Sequence, residues 1–243
     1  VPEGCLEAGA GGAGGGAGGT VALYTADVQA ETGIEASGGA GGSNIPEPLA
    51  SAIELPPVSM DTCGYGGGWS PKHREFWYPC WNDPPVKRYD ENFNSLGQFT
   101  GVAQMMQIWG NPDGSYYTAN WGYDRIRKLD ELSNQQQWEF SVGSTAGGVC
   151  VDGENVYAFR HGSQTVWRLN HDGVEQETFN LANLNSSMHG GVVCAAGHLW
   201  ANANDTHFRI FDLTTRAKVG DLHLETPSSN VAFDGQVLHI ITG

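Results

Sequence analysis

A short pattern recurs along the last two thirds of this 243-residue chain. It reads Lys87-Arg88-Tyr89-Asp90, Arg127-Lys128-Leu129-Asp130, Trp167-Arg168-Leu169-Asn170 and Arg209-Ile210-Phe211-Asp212, so Tyr89, Leu129, Leu169 and Phe211 stand 40, 40 and 42 residues apart. A second element lies between these copies: Gly148-Val-Cys-Val-Asp-Gly153, Gly191-Val-Val-Cys-Ala-Ala-Gly197 and Asn230-Val-Ala-Phe-Asp-Gly235. Each element is a short apolar run ended by a Gly or Asp turn. One repeat of this length is a single small sheet that cannot cover its own apolar faces, so successive sheets must stack on each other. A period near 40 of this kind predicts the blades of a β-propeller.

The phase of the repeat predicts how the ring closes. Three four-stranded units are expected, over 102–140, 144–181 and 187–224. The chain then ends on two strands, Asn230–Phe233 and Gln236–Ile241, and the repeat begins with two, Val86–Tyr89 and Gln98–Thr100. Joining the two halves into one sheet gives an all-β fold, a small propeller of about four blades fastened by both termini, with no open sheet edge. A trimmed piece of a larger propeller and a two-chain ring of eight blades are the competing architectures. Trp109, Trp121, Trp138, Trp167 and Trp200 are expected as filler between blades. Asp90, Asp130, Asn170 and Asp212 follow third strands and are expected to close Asx turns there.

Two stretches precede the repeat domain of 86–243. Residues 1–44 are glycine tracts around one alternating segment, Thr20–Ala36, which reads as a strand needing a partner sheet. The match of Gly9–Gly14 to GxGxxG carries no weight, because any glycine tract satisfies it. Residues 45–85 are a proline-rich connector with an aromatic cluster, Tyr65, Trp69, Phe76, Trp77, Tyr78 and Trp81. These aromatics either plug the propeller edge or form a stacking platform for a sugar or peptide, and their burial decides between the two.

The formal charge of −15 argues against nucleic acid, which needs a basic track to displace its counterions. No apolar run is long enough to span a bilayer as a helix. The five cysteines show no zinc spacing; Cys63 with Cys80 and Cys150 with Cys194 are the candidate disulfides, and Cys5 is left over. Cys150 and Cys194 occupy the same place in adjacent repeats. Disulfides point to an extracellular or cell-surface location.

The eight histidines include no HExxH, and no catalytic residue, metal ligand or cofactor can be assigned by spacing. His161 and His189 are expected on one rim of the channel, with Arg160, Asn120, Asp124, Asn204 and Asp205 as neighbours. With Tyr65, Trp69, Trp77, Tyr78 and Trp81 they make up the candidate ligand-binding set.

The run Gly148–Tyr157 followed by Val166–Asn170 resembles the NHL/YVTN-type propeller families, and Arg125–Asp130 and Phe208–Asp212 match in part. That resemblance implies fold rather than function, because the families include binders, scaffolds and a few lyases and lactonases. The N-terminal tracts are similar to glycine-rich segments of bacterial surface proteins. The expectation that follows is a non-enzymatic surface or filament subunit whose glycine-rich segment docks on another copy of the chain or on another surface protein. A carbohydrate- or peptide-binding module is the alternative, and a propeller lyase or hydrolase the second alternative.

Overall fold

The structure is a computed structural model, and it describes residues 19–27, 53–60, 66–80, 85–182, 184, 191–202, 207–223, 228–235 and 237–242. All regular structure in them is antiparallel sheet. The strands are β1 (Gly19–Asp27), β2 (Ile53–Met60), β3 (Gly68–Ser70), β4 (Glu75–Pro79), β5 (Pro85–Tyr89) and β6 (Ser95–Thr100). The next eight are β7 (Met105–Gly110), β8 (Ser115–Asn120), β9 (Arg125–Asp130), β10 (Gln136–Ser141), β11 (Ala146–Asp152), β12 (Asn155–Arg160), β13 (Thr165–Leu169) and β14 (Glu175–Asn180). The last six are β15 (Val192–Ala195), β16 (His198–Asn202), β17 (His207–Asp212), β18 (Lys218–His223), β19 (Ser228–Phe233) and β20 (Val237–Thr242).

Four blades are each built from one continuous stretch: β3–β6, β7–β10, β11–β14 and β15–β18. A fifth sheet, ordered β19-β20-β1-β2, takes two strands from each end of the chain. The innermost strands touch in a cycle, β3 on β7, β7 on β11, β11 on β15, β15 on β19 and β19 on β3. The ring therefore closes within one chain.

Closure by both termini is as expected, but the partners differ. The tail pairs with β1, through Ala26↔Leu238 and Asp27↔Val237, and not with residues 86–100. Residues 86–100 instead fall within β5 and β6, whose blade is completed by β3 and β4 from the proline-rich stretch. Proline density excludes helix but not short strands, because Pro79 and Pro85 sit at strand ends and Pro56 and Pro57 lie in β2, an outermost strand. Next to Pro56 and Pro57 the β1–β2 register shifts between Val21 and Leu23.

The register also exposes a fifth copy of the repeat. Tyr89, Leu129, Leu169 and Phe211 lie opposite Phe76, Tyr116, Val156 and Leu199, and Ala26 lies opposite Leu238 in the same position. Tyr24-Thr25-Ala26-Asp27 is thus the missing copy, with Asp27 where the others have Asp90, Asp130, Asn170 and Asp212. In those four blades the expected Asx turns are present. Oδ1 of Asp90 accepts from Asn92 and Asn94 N, that of Asp130 from Leu132 and Ser133 N, that of Asn170 from Asp172 and Val174 N, and that of Asp212 from Thr214 and Thr215 N.

The inner strands approach closely where glycine permits it. A Cβ on Gly68 would stand 1.9 Å from Ile108 O, so β3 and β7 can lie together only without a side chain there. Farther round, the Cys150–Cys194 disulfide joins β11 to β15 across a Cα separation of 5.4 Å, as the equivalence of the two positions predicts. Cys80 is also disulfide-bonded, whereas Cys63 and Cys5 lie outside the described residues.

Candidate functional site

One side chain reaches across the axis of the ring. Gln107 on β7 is fully buried; its Nε2 donates to Val192 O on β15, and its Oε1 accepts from Val149 N on β11 at 3.1 Å. A side chain joining β7 to β15 must cross the space that β11 borders, so Gln107 lies in the channel. Gly148 leaves room for it, because a Cβ there would come within 2.8 Å of Gln107 Oε1 and 2.5 Å of Val192 Cγ2.

One rim carries the turns from second to third strands and the loops leading into innermost strands. Trp121, His161 and Asn202 occupy one equivalent position on it in three successive blades. Each donates its backbone N–H to the loop leading into its own blade, Trp121 to Gln104 O, His161 to Thr145 O and Asn202 to Gly191 O. Trp121 and His161 meet edge to face, with ring centroids 4.6 Å apart. Tyr123 lies two residues beyond Trp121 and is 51 % exposed, with the Arg127 guanidinium 5.1 Å from its ring. Its carbonyl accepts from Ala146 N, and Asp124 O accepts from Val142 N, so the Trp121–Asp124 turn is fastened to the loop before β11.

The polar groups around this aromatic face are fixed. Asp124 accepts from Ser141 Oγ and pairs with Arg125 Nε at 3.0 Å; these contacts, Ser141 first, hold its carboxyl below the usual carboxylate range. Arg160 donates to Ser163 Oγ at 3.1 Å and lies 5.8 Å from the Trp167 ring centre. Asn120 is buried and donates to Ala103 O at 3.0 Å, while its Oδ1 has no partner. The face offers aromatic surface, an ionised acceptor and a guanidinium donor. Among its described residues Ser141 Oγ donates to the Asp124 carboxylate, and the arrangement offers aromatic surface to a ligand.

The structure separates the residues singled out in the sequence. Trp69, Trp77 and Tyr78 are buried, in hydrophobic clusters of the first blade and its neighbours, and do not form an open platform. Burial raises the Tyr78 hydroxyl far above the usual phenol range. Trp77 donates from Nε1 to Glu75 Oε2 at 3.2 Å, and Arg88 clamps that carboxylate at 2.7 and 2.5 Å. Burial alone would raise the Glu75 carboxyl, but the Arg88 and Trp77 bonds outweigh it and hold it low. His161 is on the rim as expected, whereas Tyr65, Trp81, His189, Asn204 and Asp205 lie outside the described residues. Trp121 packs half-buried against the hydrophobic cluster, like Trp109, Trp138 and Trp167, as expected of filler, while Tyr123 gave no periodic signal. The available cue was two aromatics inside a turn, Asn120-Trp-Gly-Tyr-Asp124, where apolar side chains have little reason to sit. Among the described residues no three His, Cys, Asp or Glu side chains converge as metal ligands.

No family model and no curated protein matches the chain, so the narrower NHL/YVTN and surface-protein likenesses gain no support. Solved structures do match. Hydrazine synthase of Kuenenia stuttgartiensis superposes with a TM-score of 0.50 at 17 % identity, over 75 % of this chain and 56 % of that one. The chain thus spans little more than half the length of that neighbour. Glutaminyl cyclase of Myxococcus xanthus superposes with a TM-score of 0.59 at 11 % identity, over 74 % of this chain and 86 % of that one. At such identities the likeness is one of fold.

Proposed function

We propose that this protein is an extracytoplasmic, non-catalytic binding module that takes carbohydrate on the rim formed by its second and third blades. The observation that carries the reading is the edge-to-face pair of Trp121 and His161 on one rim, with the exposed Tyr123 two residues beyond Trp121; Asp124 in the same turn and Arg160 next to His161 in sequence supply charged groups on that rim. Rigid aromatic surface binds a flat ligand face at low entropic cost, and the fixed polar groups supply direction to hydroxyls. A closed propeller braced by Cys150–Cys194 suits an oxidising compartment.

The competing reading, a filament subunit docked through its glycine-rich segment, loses its motive, because β1 pairs with the chain's own β20 and β2. The enzymes named among the structural neighbours share fold with this chain at 17 % and 11 % identity, which brings no chemistry across. A glycan array probed with the whole chain is expected to return a bound sugar class. Tyr123→Ala and Trp121→Ala should each weaken that binding roughly tenfold or more, in line with loss of a central aromatic contact. An array without binding, or variants that bind like the parent, would overturn the reading.

A further inference from the structure

The opposite rim holds a second cavity. It has a volume of about 340 Å³ and is lined by Trp69, Pro71, Arg74, Glu91 and Asp234. Three turns supply this lining: β3–β4 gives Pro71 and Arg74, β5–β6 gives Glu91, and β19–β20 gives Asp234. The site therefore straddles the seam between the first blade and the sheet that closes the ring. It exists only when the ring is closed.

The seam carries one break in the repeat. The second strands of the four continuous blades place Trp77, Tyr117, Tyr157 and Trp200 at one equivalent position, and β20 places His239 there. His239 is 6 % exposed and packs against Phe76 and Phe93, with ring centroids 4.6 and 5.6 Å away. Its Nε2 lies 3.0 Å from Asp234 Oδ2, and its Nδ1 is buried without a partner. The tautomer that fits has its proton on Nε2, donated to Asp234, since a proton on Nδ1 would be buried with no acceptor. The imidazole fixes the orientation of a carboxylate that lines the cavity. Its other oxygen, Oδ1, accepts from Val237 N at 2.7 Å.

The lip is preset as well. Arg74 donates to Glu91 Oε1 through Nε and Nη2 at 2.8 and 2.5 Å. The lining thus holds two carboxylates, one guanidinium and an indole, within a chain of formal charge −15. With Arg74 paired to Glu91, the lining side chains keep one net negative charge, which favours a cation over an anion, and the indole can add cation–π attraction. The volume admits a molecule about the size of an amino acid.

We propose that this seam cavity is a binding site for a small organic amine, held by Asp234 and Glu91 against Trp69. The site is independent of the carbohydrate-binding rim and stands or falls separately from it.

The test is an NMR titration of the whole isotope-labelled chain with n-butylammonium chloride, and with n-butanol as the uncharged control. The expected result is saturable shifts confined to the amides around Trp69, Arg74, Glu91 and Asp234, with n-butanol at least tenfold weaker. Asp234→Asn should weaken butylammonium roughly tenfold, as expected for losing one charge-assisted contact. Glu91→Gln, on the exposed lip, provides the same readout should the first variant fail to fold. Equal binding of the alcohol, shifts elsewhere, no saturation, or a folded variant that titrates like the parent would each overturn the proposal.

Discussion

Gln107 is one amide side chain that ties three blades together across the axis. Gln107→Leu fills similar volume but leaves Val149 N–H and Val192 C=O buried without that partner. The expected cost is about 3 kcal/mol, at 1–3 kcal/mol per unsatisfied group, read from urea denaturation. An unchanged midpoint would show that water or a shifted strand replaces the amide. Gly68 sets a harder limit: Gly68→Ala would drive a methyl to 1.9 Å from Ile108 O, a backbone atom that cannot swing away. Calorimetry should find that variant destabilised by roughly 1–3 kcal/mol or failing to fold. The turn aspartates make a pH prediction. Contacts from Asn94 to Asp90, Ser133 to Asp130 and Thr215 to Asp212 depress these carboxyls in the folded state. A depressed folded pKa gives stability that is present above the unfolded value of about 3.9 and lost as pH falls through the lower folded values. Thermal midpoints should therefore hold from neutrality to about pH 4 and decline below it. Asparagine serves the same turn at Asn170, so replacing all three aspartates by asparagine should keep the fold and make the acid decline shallower.

At the scale of elements, the sheets were legible in the sequence wherever the repeat kept its spacing. The strands from β7 to β18 fall close to where the 40-residue period puts them, because alternating burial and Asx turns leave a mark on every copy. The disulfide between β11 and β15 was legible for the same reason, since equivalent positions on adjacent inner strands are neighbours. β1 to β4 were not. The long insertion between β1 and β2 breaks the period, Ala26 replaces the usual large apolar residue, and prolines in β2 and β4 disguise strands as connector. The candidate rim was half legible: topology placed His161 and Asp124, but exposure of Tyr123 depends on how loops settle. The bridge itself is testable. Cys150→Ala with Cys194→Ala opens a loop spanning 44 residues, and chain entropy predicts a loss of ~4 kcal/mol in the denaturation free energy. A loss near zero would mean that packing between the blades already holds these strands.

For the whole molecule, stability is a property of the closed ring. Each sheet buries its faces on its neighbours, and the innermost strands form one continuous cycle. Removing residues 1–60 takes away β1 and β2, leaving β20 as an open edge. That truncated chain is expected to unfold less cooperatively in urea and to self-associate in light scattering. A monomer with an unchanged transition would show that the four continuous blades suffice.

The sheet shared by both ends also sets an order in time. A ribosome releases β1 and β2 long before β20 exists to receive them, so these two strands have no seat until β20 has followed. The nascent protein carries its fastener unlatched, and the cleft at the seam waits for the turn that brings Asp234. Any quality control that inspects this molecule therefore meets an open ring until β19 and β20 are made.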